Sequence, residues 1–361
     1  MKKIVTVLGA RPQFIKAAVL SRIINKYSEI EEVIVHTGQH FDINMSQVFF
    51  DEMEIPAPKY NLNIHSLQHG AMTGQMLAKI EAILMNEKPD AVVVYGDTNS
   101  TLSGALAAKK LPVKVVHIEA GLRSFNMKMP EEINRIITDR LSDLLLCPTD
   151  SAIANLNAEG FHNFPAKVVK TGDIMKDAVT FYSEKSAEKS TIMKNLVLES
   201  DNFVLATIHR QENTDHLENL NSIFKGLESI SKEMKVVFPI HPRTRQILEK
   251  YQYNFNITMI NPVGYFDMLE LLKHCKLVIT DSGGLQKEAY FNQKFCIIAR
   301  EETEWVELVE NGLAKIVGSD SQNIVEAFNF FKQRTFNSAT ELYGNNVGEQ
   351  IYAEIKSLLY S

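Results

Sequence analysis

Between Cys275 and Ala289 the chain reads CKLVITDSGGLQKEA, an apolar run followed by a glycine pair and the start of an amphipathic segment. No other stretch constrains the fold as strongly. Leu277 to Thr280 has the length and apolar content of a strand buried on both faces, the kind found in parallel sheets. Gly283 and Gly284 lack the Cβ atoms that would hold a ligand's phosphates away from the backbone, and the N–H groups and dipole of a following helix attract an anion. Ser282 adds a hydroxyl donor. Glu288, about one turn into that helix, is set to accept hydrogen bonds from a ribose hydroxyl. The same residues also fit an ordinary strand-to-helix turn capped by Ser282, so the rest of the chain has to decide.

The rest repeats the pattern. Lys3 to Leu8, Val33 to His36, Ala91 to Tyr95, Val113 to Ile118, Leu144 to Cys147 and Val168 to Lys170 are strand-like. Between them come helical spacings over Ile15 to Asn25, Met72 to Ile83, 98–109 and 131–141, with GARPQ read as a loop. The polar segment SEKSAEKS, residues 183–190, has nothing to bury and reads as a linker. Beyond it strands recur at Phe203 to Thr207, Val236 to Ile240, Ile257 to Ile260, Leu277 to Thr280, Phe295 to Ile298 and Ala314 to Val317. Strands alternating with helices predict an α/β protein whose parallel sheets are covered on both faces. A chain of 361 residues holds two such domains. The expected division is 1–182 and 183–346, two Rossmann-like domains facing a central cleft, with a last helix over 347–361 packing back on the first.

Composition narrows the function. A net charge of −6 without a Lys/Arg block argues against nucleic acid. The apolar run before Arg11 and Pro12 is too short for a signal peptide and no later run approaches membrane-spanning length, so a cytoplasmic protein with no membrane partner is expected. Cys147, Cys275 and Cys296 are widely spaced and read as buried, reduced thiols. Neither GxxxxGK[ST] nor, after the first strand, GxGxxG is present, and His and carboxylates never cluster at metal-ligand spacing. The expectation is no cofactor and no metal.

In open parallel sheets ligands bind beyond the carboxyl ends of the strands. Those positions hold Arg11, Asp97 and Glu119 in the first half, and His209, Arg210, His241, Arg243, Asp281 and Ser282 in the second. Each alone has an ordinary reading: Asp97 as a helix cap, Glu119 as a partner of Arg123, His209 as a satisfied buried histidine. Together they predict an anionic, nucleotide-like ligand handled by carboxylates, His and Arg.

GARPQFIK at 9–16, HTGQH at 36–40, YGDTNST at 95–101, HIEAGLRS at 117–124, MPEEINR at 129–135, TIHRQEN at 207–213 and TDSGGLQKEA at 280–289 resemble, in order, the non-hydrolysing UDP-N-acetylglucosamine 2-epimerases. That family shares the two-Rossmann architecture of GT-B glycosyltransferases. RSFNMKMPEEINR and REETEWVEL are most similar to its branch acting on UDP-2,3-diacetamido-2,3-dideoxyglucuronate. The resemblance implies a UDP-sugar substrate, a homodimer joined through the first domain, and a place in bacterial surface polysaccharide synthesis. In bacterial members HTGQH and the region of Asn63 to Gly70 help form a second, activating UDP-sugar site, but NIHSLQHG here departs from the usual pattern.

The chemistry agrees with the residue types. C2 of the sugar has no adjoining carbonyl to acidify its proton, so inversion needs either transient oxidation or expulsion of UDP to a glycal and its readdition. The second route asks for a base, an acid and groups that hold the leaving diphosphate. The resemblance implies acid/base roles for Asp97, Glu119 and Glu131, with His209 aimed at the departing phosphate or a sugar hydroxyl. It gives UDP to Arg11, Ser282, Gly283, Gly284 and Glu288. Lys16, Gln39, His40, Arg135, Arg210, Glu212, His241 and Asp281 become supporting residues. Arg123, Ser124, Asn126 and Lys128 are the candidates to meet a sugar carboxylate. A GT-B glycosyltransferase, a hydrolysing epimerase and a non-catalytic nucleotide-sugar sensor remain open alternatives.

Overall fold

The computed structural model describes residues 1–39, 50, 54–337 and 341–361. Two units emerge, Met1–Ala178 with Leu342–Ser361, and Val179–Glu341. In the first, among the described residues, strands β1 (Lys2–Leu8), β2 (Ile30–His36), β3 (Tyr60–Asn61), β4 (Ala91–Tyr95), β5 (Lys114–Ile118), β6 (Leu144–Cys147) and β7 (Lys167–Lys170) run in the order β3-β2-β1-β4-β5-β6-β7. Every pairing is parallel. The sequence AVVVY of β4 is buried at all its positions, as a strand covered on both faces requires. Helices α1 (Arg11–Tyr27), α2 (His69–Glu87), α3 (Asn99–Lys110), α4 (Pro130–Leu141) and α5 (Asp150–Ala158) accompany it, and α6 (Ile174–Lys189) starts in this unit and ends in the second. Met72, Met76, Ile80 and Ile83 of α2 bury one stripe against Val5, Val7, Val92 and Val94, the contact their helical spacing predicts.

In the second unit, strands β8 (Phe203–Thr207), β9 (Lys235–Pro239), β10 (Thr258–Ile260), β11 (Leu277–Thr280), β12 (Phe295–Ile298) and β13 (Ala314–Ile316) form a parallel sheet in the order β10-β9-β8-β11-β12-β13. Its longer helices are α7 (Leu217–Ser231), α8 (Pro242–Lys250), α9 (Tyr265–His274), α10 (Gly283–Phe291) and α11 (Ser321–Phe331). Both sheets reverse their strand order once, between β1 and β4 and between β8 and β11. Connections leave in opposite directions at such a point, opening a crevice beyond the strands' carboxyl ends.

Helix α12 (Val347–Tyr360) belongs to the first unit. It packs on α1 with Tyr352 stacked on Tyr27 at 4.9 Å and Lys26 bonded to Glu349 at 2.9 Å. Gly348 lets the helices touch, since a Cβ there would lie 2.6 Å from Ile23 and 2.8 Å from Val19.

Three details differ from expectation. GARPQ is not a loop: α1 begins at Arg11, with Pro12 in the first turn, where its missing N–H costs nothing. The strand Tyr60–Asn61 is too short to leave a periodic signal. Residues 183–189 are not an extended linker but the second half of α6, and the units divide after Ala178 within that helix. Ser186 there is fully buried and donates to Glu270 at 2.7 Å.

Candidate active site

At the first reversal point, the chain leaving β1 passes Gly9 and enters α1, and the chain leaving β4 passes Gly96 and Asp97 before α3. Gln13 ties the two together. Its Oε1 accepts from the N–H of Gly9 at 2.8 Å and of Ala10 at 3.0 Å, while its Nε2 donates to the Tyr95 carbonyl at 2.7 Å and to Thr101 at 2.9 Å. Thr98, not Asp97, caps α3, by accepting from the Thr101 N–H. Asp97 is therefore left to Arg135 of α4, whose Nη2 lies 2.5 Å from Oδ2. Glu131 stands one turn before Arg135 in the first turn of that helix, on the same face.

Glu119 follows β5, the neighbour of β4, with Tyr95 registered on Ile118. It adopts a left-handed φ of +73°, unusual for a residue with a Cβ. The turn is held by the N–H groups of Glu119 and Ala120, which donate to the Leu146 carbonyl at 3.0 and 3.1 Å. Its carboxylate pairs not with Arg123 but with Lys16 of α1. A Cβ on Gly96 would lie 3.2 Å from Glu119 Oε2, so the Asp97 turn and the Glu119 carboxylate are neighbours. Arg11 occupies the first position of α1, and Gln39 Oε1 accepts from Ser100 N and Oγ at 3.0 and 2.7 Å. His40 lies outside the described residues.

At the second reversal point Asp281 is wholly buried. It receives the backbone N–H of His209 at 3.0 Å, that of Arg210 at 2.9 Å and the Asn213 side chain at 3.0 Å. Asp281 is thus the pin that holds the chain leaving β8 against the chain leaving β11. The His209 ring lies 5.7 Å from that of His241 and its Nδ1 3.4 Å from Asp281. Surrounding protein pushes the His209 imidazole below its ordinary value, although 38% of the side chain still meets solvent, and Asp281 pulls the other way. Glu212 is exposed in the turn Gln211–Thr214.

Ser282 precedes α10 but makes no side-chain cap bond, contrary to the capping reading. Around Gly284 a Cβ would meet nothing within 4 Å, while at Gly283 it would approach Glu304, Trp305 and Arg210 at 3.4, 3.7 and 3.8 Å. The segment 300–305 thus wraps the start of α10. Arg300 forks onto Glu304 at 3.0 and 3.1 Å, and the buried Lys287 lies 3.8 Å from the centre of the Trp305 ring. Glu288 is 9% exposed. A glycine helix start beside Arg210 and an indole N–H suits a diphosphate; carboxylates gripped by Arg and Lys suit proton transfer.

The sequence profile of the UDP-N-acetylglucosamine 2-epimerases matches residues 22–356. The chain is 50% identical over 353 residues, 98% of both chains, to the UDP-2,3-diacetamido-2,3-dideoxy-D-glucuronate 2-epimerase of Pseudomonas aeruginosa. It is 41% identical over 360 residues, 97% of both chains, to the UDP-N-acetylglucosamine 2-epimerase of Methanocaldococcus jannaschii. The crystal structure of that enzyme in complex with UDP-GlcNAc and UDP covers 99% of this chain and 100% of its own at a TM-score of 0.91. The chain belongs to the UDP-N-acetylglucosamine 2-epimerase family.

In this epimerase the structure also removes one expectation. Arg123 is not open to a sugar carboxylate: it is buried, forks onto Glu159 at 2.6 and 2.8 Å and holds Asp139 at 2.7 Å. Ser124 Oγ donates to Glu132 at 3.0 Å. Lys128 remains exposed in the loop before α4. Gln13, Glu132 and Asp139 lie in or near the motifs GARPQFIK and MPEEINR, yet nothing in the sequence marks their roles. Their burial is a tertiary fact that a polar letter does not announce.

Proposed function

We propose that this protein is a non-hydrolysing 2-epimerase of a UDP-sugar, acting by elimination and readdition. A carboxylate takes the C2 proton, the electrons of that C–H bond form the C1–C2 double bond, and the C1–O bond breaks to release UDP. A carboxylic acid on the other face then returns a proton to C2 while UDP re-forms the bond to C1. By the family resemblance the proton transfers fall to Asp97, Glu119 and Glu131, and the diphosphate to Ser282, Gly283, Gly284, His209 and Arg210. The observation that carries the reading is the setting of Asp97 and Glu119 side by side at the ends of β4 and β5, each paired with a cation, in a chain of this family. A proton NMR time course with a UDP-N-acetyl sugar in deuterated water tests it. Deuterium should enter C2 of substrate and product while the sugar stays on UDP; a C2 that stays protonated through many turnovers refutes it.

The substrate we favour is the diacetamido-glucuronate, supported by 50% identity to the Pseudomonas enzyme across 98% of both chains. With Arg123 engaged with Asp139 and Glu159, Lys128 is the cation among these candidates assigned to the sugar carboxylate. A site that meets that carboxylate should favour the uronate over UDP-N-acetylglucosamine in kcat/KM, because a sugar without the carboxylate forfeits the ion pair. Equal efficiency with the neutral sugar overturns the choice and leaves the epimerase reading intact. The proposal includes a homodimer, on the family resemblance, and a monomer mass by light scattering would remove it.

A further inference from the structure

His117 lies in β5, two residues before Glu119, with no solvent exposure. Its Nδ1 is 2.7 Å from Asp139 Oδ1 and its Nε2 is 2.7 Å from the carbonyl oxygen of Gly96. Both partners are acceptors. A neutral imidazole carries one N–H and one lone pair, so in either tautomer a lone pair would face an oxygen at hydrogen-bond distance. Moving a proton to Asp139 instead is opposed by Arg123, whose Nη1 donates to Oδ2 of that carboxylate at 2.7 Å, and by the Gly121 N–H at 3.2 Å. A guanidinium and an amide donor both favour the ionised carboxylate.

We infer that His117 is a buried imidazolium whose two N–H groups clamp the Gly96 carbonyl and the Asp139 carboxylate, and that it thereby positions Asp97 and Glu119 for the proposed epimerisation. The second half rests on the functional reading above; the charge state does not. The clamp reaches both reacting carboxylates. Gly96 adjoins Asp97 in the chain and Glu119 in space, and Asp139 also takes the N–H of Gly121, two residues beyond Glu119. The left-handed Glu119 is therefore held from both sides of its turn. Around the clamp the charges balance, His117 and Arg123 against Asp139 and Glu159, which a buried cation requires. The nearby Cys147 thiol adds none, because burial pushes it up and keeps it protonated.

Histidine-labelled whole protein, followed by 15N NMR at pH 8, tests the charge. That is about 1.5 units above the ordinary histidine value, yet one ring should keep both N–H signals, assigned by their loss in His117→Asn. A single-tautomer neutral ring for His117 overturns the inference. Kinetics test the positioning. His117→Asn and Asp139→Asn should each lower kcat roughly 10- to 100-fold, the scale of a reacting group displaced by about 1 Å. The double variant should lose no more than the worse single, since both cut one tie. UDP affinity by calorimetry should stay within about 2-fold. Wild-type kcat in either folded single variant overturns the positioning role. A wild-type protein that turns over no UDP-sugar refutes the functional reading, while the NMR spectrum still decides the imidazolium.

Discussion

Arg135 holds two carboxylates with one guanidinium: Nη2 stands 2.5 Å from Asp97 and Nη1 2.9 Å from Glu132. Glu132 in turn accepts the N–H groups of Ser124 and Phe125, each at 2.9 Å, so the loop before α4 and the Asp97 side chain hang from the same residue. A lysine keeps the charge but not the planar fork. Arg135→Lys should lower kcat by roughly 10-fold or more through misplacement of Asp97, with UDP affinity little changed. Steady-state kinetics beside calorimetry check it, and an unaltered kcat would leave Arg135 a purely structural role.

The carboxylates should separate from the groups that hold UDP. Asp97→Asn, Glu119→Gln and Glu131→Gln are each expected to cut kcat by roughly 10²-fold, the usual worth of a positioned acid or base. Whichever variant folds and keeps near wild-type kcat leaves the mechanism.

Gly284 offers a test in which stability and binding move in opposite directions. Its position is helical and a Cβ there meets no atom within 4 Å, so Gly284→Ala should stabilise the fold by about 0.5–1 kcal/mol. The same methyl occupies the space proposed for the diphosphate, and UDP affinity should fall. Thermal melts with UDP titrations decide: unchanged affinity would move the phosphates away from this helix start.

Much of this was legible in the sequence, and the part that was not has a physical cause. The parallel sheets could be read because LVIT, AVVVY and their counterparts are apolar on both faces, a pattern that needs no knowledge of neighbours. That Asp97, Glu119 and the Ser282–Gly284 turn stand at strand ends could be read because the fold class says where to look. Pairings could not be read. Glu119 adjoins Arg123 in the sequence but finds Lys16, and Arg123 finds Asp139 and Glu159, because parallel strands bring together residues far apart in the chain. The SEKSAEKS stretch misled for a related reason: polar composition is compatible with a helix, and its one buried hydroxyl has its partner at Glu270.

His36 should leave a mark on acid stability. It is 2% exposed, with Phe14 edge-on at 4.9 Å, and burial pushes its imidazole down to about 4. The unfolded chain takes up that proton near 6.5 and the folded one does not, so stability is full above 6.5 and falls as pH drops toward 4. The two-and-a-half-unit gap corresponds to about 3 kcal/mol. Urea unfolding from pH 7.5 to 4.5 should show a slope that His36→Phe flattens; an equal slope in the variant would refute the burial argument.

The return of α12 to the first unit also sets a timetable. During synthesis, residues 179–341 are complete before α12 exists, so the second unit can close while the first still shows bare the face of α1 that carries Val19 and Ile23. The domain begun first is therefore the one finished last. A chain halted at Glu341 would present that apolar face to chaperones or to other nascent chains, whereas its later domain would already be sealed.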